Sequence, residues 1–121
     1  MDKTTAKQII TDNHNAANGS FIYLLHEKSR FSPERFWDYY DSVAALVTAD
    51  DKTPELTKLI TDNYQRILKY LVFHFDPDDD FVIKDFPKNY LPYIERLEYV
   101  LMAYHTIDTR LISEDIFELK R

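Results

Sequence analysis

Asp76, Asp78 and Asp80 form the first pattern in this chain that could do chemistry, because alternating carboxylates are how a helix–loop–helix calcium site begins. Such a loop also needs a glycine at its sixth position and a bidentate glutamate at its twelfth. Here those positions hold Phe81 and Pro87, so the acids read as a solvated turn. The four histidines, His14, His26, His74 and His105, have no histidine four residues away and no cysteine anywhere to join them. Zinc-ligand spacing is therefore missing. His74 shares a helical face with Leu56, Ile67 and Leu71 and is expected to be a hydrogen-bonded core histidine. Of the five serines, Ser20, Ser32 and Ser113 are placed to cap helices, and none lies in a G-x-S-x-G turn. Acid/base catalysis needs carboxylates held in a dry cleft, whereas the pairs Glu95 with Glu98 and Asp38 with Asp41 both face outward on helical wheels. No catalytic residue, metal site or cofactor is assigned.

The elements that would position these residues are helical. Gly19, the single glycine, is expected to terminate a first helix of about Thr4 to Ala17, and Ser20 to cap a second from Phe21 to about Ser29. Ser32-Pro33-Glu34 and Thr53-Pro54-Glu55 share one start signal: a cap, a proline at the first helical position and an acid in the first turn. They open helices from Pro33 to about Thr48 and from Pro54 to Phe75. Asp76-Pro77-Asp78-Asp79-Asp80 ends the latter, since proline and negative charge are both unfavourable at a helix C-terminus. Residues 81–87 read as an extended strap on the core. A fifth helix runs from about Asn89 to Thr109, and Ser113 opens a short last one to about Leu119.

Periodicity agrees with this division. Phe36, Tyr40, Val43, Ala44 and Val47 line one face of the third helix, and Glu34, Asp38, Asp41 and Ala45 the other. Past Lys69 the long helix is apolar all round, which predicts a segment covered on every side. Tyr93, Ile94, Leu97, Val100, Leu101, Tyr104 and Ile107 form the buried arc of the fifth helix. Alternation of period two is nowhere sustained. The expected fold class is therefore all-α, a single compact domain of five to six helices around a central long helix. Ile10-Thr11-Asp12-Asn13 and Ile60-Thr61-Asp62-Asn63 share four identities fifty residues apart. Nothing else in the two halves aligns, and the match reads as coincidence.

Composition narrows the function. A length of 121 residues with 45% apolar content suits one domain with a real core. A single glycine, against a usual share of about 7%, leaves no material for Gly-rich phosphate loops or Rossmann turns. Without cysteine there are no disulfides, and no basic, apolar leader stands at the N-terminus, so a cytoplasmic location is expected. A net charge of −6 disfavours direct contact with nucleic acid or an anionic membrane and favours a basic protein. The charge is uneven: Glu34 to Asp51 carries five acids against Arg35, and Asp76 to Asp85 five against Lys84. Trp37 lies at the edge of the acidic stripe, while Tyr99 and Met102 face outward with Glu95. Aromatic anchors ringed by charge are a common make-up of binding hot spots, although Tyr99 and Met102 could equally pack under the last helix.

The runs Phe31-Ser32-Pro33-Glu34-Arg35-Phe36-Trp37-Asp38-Tyr39-Tyr40-Asp41-Ser42, His74-Phe75-Asp76-Pro77-Asp78-Asp79 and Tyr93-Ile94-Glu95-Arg96-Leu97-Glu98-Tyr99 resemble small all-helical immunity proteins of bacterial polymorphic-toxin systems, including contact-dependent growth inhibition. The resemblance covers about Ser20 to Thr109. It implies a non-catalytic protein that binds one cognate toxin domain, often a nuclease, and brings no residue-level contact map. The expected contact set, read from charge and aromatic placement, is Glu34, Trp37, Asp38 and Asp41; Asp78, Asp79 and Asp80; and Glu95, Glu98, Tyr99 and Met102. Homodimer formation is left open. Two other classes remain: a mobile-element regulator that mimics nucleic-acid charge to block a defence enzyme, and a small helical hydrolase or ligand-binding domain.

Overall fold

A computed structural model describes residues 1–121 and contains five α-helices, no β-strand, and two short 3-10 turns. The helices are α1 (Lys3–His14), α2 (Phe21–Glu27), α3 (Pro33–Ala44), α4 (Pro54–Phe75) and α5 (Leu91–Thr106). Their starts follow the capping chemistry. Asp2, Ser20, Ser32 and Thr53 each accept a hydrogen bond from the backbone N–H three residues on, and Pro33 and Pro54 sit where a missing N–H costs nothing. The bounds of α4 coincide with those expected.

Four ends differ from expectation, the first being that of α5, which stops at Thr106 and not at about Thr109 because Ile107 turns into the left-handed region. Helix α1 stops at His14, before Gly19 is reached, because Ala16 and Asn18 themselves turn into the left-handed region ahead of the glycine at φ 66°. Helix α3 stops at Ala44, where the chain tightens into three-residue turns closed by Leu46 N–H to Val43 and Ala49 N–H to Leu46. Instead of a last helix there are 3-10 turns at Thr109–Ile112 and Glu114–Ile116, and the Ser113 hydroxyl caps nothing. The Glu114 carboxylate is drawn onto Arg96, so docking overrides local helix preference.

Helices α1, α2 and α5 each pack against both α3 and α4. One core of twenty buried residues runs between them. Phe31 stands at its aromatic centre, edge-on to Phe21, Phe86 and Tyr93. The strap expected at 81–87 is present: Ile83 is buried, and Lys84 joins the backbone beside Arg30 in an isolated parallel bridge. His74 holds the strap, its Nδ1 accepting the Ile83 N–H at 2.9 Å. The histidine is half-buried and satisfied.

The repeated Ile-Thr-Asp-Asn segments meet across the α1–α4 contact. Asn63 is buried and donates to the Ile10 carbonyl at 3.2 Å, and His14 pairs with Asp62. Asn13, also buried, donates to the Ile9 carbonyl and accepts from Ile22 N–H at 2.9 Å. Thus both asparagines are polar fasteners inside the core.

The end of α4 contradicts one expectation. Val72 is 64% exposed and Phe75 51%, so the segment past Lys69 is not covered on all sides. Tyr70 and Phe73 pack against Phe81, and Phe75 touches Phe86 and Tyr90. These neighbours cover two sides and leave the rest bare. No helix is long and apolar enough to cross a membrane.

Candidate functional site

The two acidic segments have opposite fates in the fold. In the first, Asp38 pairs with Arg35 at 2.9 Å, Asp41 with Arg121 at 2.6 Å, Asp50 with Lys3 at 3.7 Å and Asp51 with Lys7 at 2.8 Å. The Lys7 hydrogen bond also holds the Asp51 carboxyl below its ordinary range. Three of these cations come from distant parts of the chain. Glu34 alone stays exposed and free of any ion pair.

Trp37 is likewise engaged by its own chain. The Arg121 guanidinium lies 4.6 Å from the centre of its ring and that of Arg96 lies 5.0 Å away. Trp37 and Asp41, expected to meet a partner, therefore receive residues of the same molecule. Tyr99 is half-buried against Phe117, with ring centres 5.5 Å apart, so it packs under residues 113–119, while Met102 remains 44% exposed.

In the second segment, Asp76, Asp78, Asp79, Asp80 and Asp85 are all exposed and none takes part in an ion pair. Asp76 Oδ1 accepts from Asp78 N–H and Asp79 Oδ1 from Phe81 N–H, two short local turns that fix the loop. The carboxylates spread outward, and no group of three acids or histidines comes together as metal ligands.

Beside this loop an apolar groove opens between α4 and α5, lined by Leu68, Leu71, Val72, Phe75, Tyr90 and Ile94, with Asp76 at its rim. Leu91, the first residue of α5, is 63% exposed. Glu98 lies one turn beyond Ile94. Its charge reaches Tyr64 on α4, whose phenol is pushed up first by burial and then by this carboxylate. Glu95 is exposed on the same helix. The structure thus places Asp76 at the rim of an exposed apolar surface expected to lie in the core, whereas Asp79 lies on another face of α4, in a hollow shared with His26, Arg66 and Lys69.

Arg96 is the residue that reading missed. It is fully buried, and all five of its N–H donors are used. Nε and Nη2 reach the Leu119 carbonyl at 3.2 and 2.6 Å, Nη1 reaches Tyr40 Oη at 3.2 Å, and the two Nη atoms hold Glu114. Its guanidinium lies 3.9 Å from the Phe117 ring centre. Burial alone would lower its proton affinity, but the Glu114 and Tyr40 hydrogen bonds outweigh it and raise the pKa. One signal was available: position 96 falls in the buried arc, three residues after Tyr93 and four before Val100.

Set beside protein-family models, curated proteins and solved structures, the chain has no match.

Proposed function

We propose that this chain is an immunity-type inhibitor, a non-catalytic helical protein that binds and neutralises a basic, nuclease-type bacterial toxin domain through the α4–α5 groove and the loop after α4. The observation that carries the reading is an exposed apolar groove, with Val72 and Phe75 bare and the unpaired Asp76 at its rim, from which the chain runs directly into the unpaired Asp78, Asp79 and Asp80. Large exposed apolar side chains beside unneutralised charge of one sign mark interaction surfaces. The charge also selects the occupant. In a symmetric dimer the same patch meets itself, which would bring each copy's Asp76 rim and aspartate loop toward like charge. A basic segment carrying an apolar anchor removes that repulsion and gains from steering. A specific complex buries roughly 800 Å² per partner, so a protein that fills the groove also covers the loop. The resemblance to immunity proteins points the same way.

The test is binding and neutralisation of the toxin domain encoded beside this chain's gene. Binding at micromolar concentration or tighter is expected, lost on combining Val72→Ser with Phe75→Ser and weakened at high salt. Absence of binding at that concentration, or binding indifferent to the groove substitutions, would overturn the proposal.

A further inference from the structure

The geometry points to a second recognition site, on the opposite use of charge: we infer that Trp37, Tyr40 and Arg96 form a peptide-binding cradle, closed in this structure by the chain's own residues 113–121. The outside ligand it fits is a segment with a carboxylate three residues before an aromatic side chain.

Residues 113–121 sit on the cradle as a peptide ligand sits on a domain. Glu114 supplies a two-pronged carboxylate to Arg96, Phe117 lays its ring on the guanidinium, and the Leu119 carbonyl takes two more donors. Charge-assisted bidentate pairing and stacking are how arginine recognises acidic and aromatic groups. The cradle belongs to α3 and α5: Trp37 is edge-on to Phe36 and Tyr40, and the Tyr40 hydroxyl oxygen accepts from Arg96 Nη1.

What closes it is held by side chains and not by backbone pairing. Between residues 107 and 121 only Phe117 is buried. Past Asp108, every backbone N–H bond made in this stretch is local to it, as in Leu111 to Asp108 and Phe117 to Glu114. Segments attached by few side chains and no shared backbone ladder open below the free energy of global unfolding. The stretch leaves α5 at Ile107, a β-branched residue held at φ 57°, in the left-handed region such side chains disfavour. Opening beyond this joint exposes Arg96 to water, where its charge is solvated, while α3 and α5 keep their places.

A fluorescent peptide of residues 112–121, ISEDIFELKR, titrated into the full chain provides the test. The unmodified protein should bind weakly, because its own segment competes at high effective concentration. The Glu114→Gln, Phe117→Ala double variant, shown folded by circular dichroism, should bind at least tenfold more tightly. The same peptide carrying both substitutions should bind neither protein. Equal affinity for the two proteins, or no binding to the folded double variant, would overturn the inference. If that variant does not fold, exchange of the Arg96 Nε proton in the unmodified chain decides. Protection of this proton, taken relative to its own unfolded rate, that is lower than the protection of the Ile60 and Ile67 amides supports opening without unfolding, and equal protection refutes it.

Discussion

Arg96 and Glu114 stand eighteen residues apart in the chain and meet in two hydrogen bonds, Nη1 to Oε2 at 2.5 Å and Nη2 to Oε1 at 3.2 Å. The arginine is buried completely while the carboxylate's outer side stays in water. A charge taken out of water is tolerable only when its donors are satisfied, and Glu114 takes two of the five on Arg96 and supplies the opposite charge.

Removing the acid therefore leaves two guanidinium donors short of partners. Glu114→Ala should cost about 1–3 kcal/mol, the usual penalty for unsatisfied polar groups. Arg96→Ala should cost more, since Tyr40, Trp37 and Phe117 lose their common neighbour as well. Arg96→Met, which restores part of the volume, should lie between Arg96→Ala and the unmodified protein. Urea midpoints at constant m-value check the order.

Acid should undo the same contact. The Arg96 hydrogen bond holds the Glu114 carboxyl below its ordinary 4.5. A depressed folded-state pKa contributes stability that is fully present above the ordinary value and is lost as pH falls toward and through the folded one. The stability difference between the unmodified chain and Glu114→Gln should stay constant from pH 7 to about 5 and shrink below about 4.5. Parallel chemical denaturation of the two proteins across that range measures it.

Asn13 should be a sensitive position for folding. Its Oδ1 is the acceptor for the buried Ile22 N–H at the start of α2. Asn13→Ala orphans that donor and should cost about 1–3 kcal/mol. Gln65→Ala, on the exposed side of α4, should change stability by under about 0.5 kcal/mol. Thermal or urea unfolding of both variants separates the two roles.

Charge reversal distinguishes the two acidic segments. Asp78→Lys with Asp80→Lys should leave stability within about 0.5 kcal/mol, because neither side chain has a partner to lose. Association with a basic partner should slow and lose part of its salt dependence. Asp41→Lys should instead release Arg121, at the roughly 0.2–1 kcal/mol typical of surface pairs, and leave partner association unchanged. Stopped-flow association at two salt concentrations reads both.

Helix starts were legible because the capping bonds at Ser20, Ser32 and Thr53 involve residues only three apart. Helix ends were less so. The termination of α1 ahead of Gly19 and the 3-10 turns at Thr109–Ile112 and Glu114–Ile116 depend on what the following chain docks against. The match between the segments at 10–13 and 60–63 looked accidental because nothing around it aligns, yet Asn63 reaches the Ile10 carbonyl across the α1–α4 contact.

The all-helical architecture, the caps at Ser20, Ser32 and Thr53, the extents of α4 and the strap, and the outward acidity of the loop after α4 were all written in the sequence. Periodicity and capping are short-range effects, carried by residues within one or two turns of each other. Only the tertiary structure decided which acids remain free. Lys3, Lys7 and Arg121 cross the molecule to neutralise Asp50, Asp51 and Asp41, whereas no cation reaches Asp78, Asp79 or Asp80. It also decided that Arg96 goes inside and Val72 and Phe75 stay outside, because burial depends on which neighbours arrive and hydropathy along a helix does not record them.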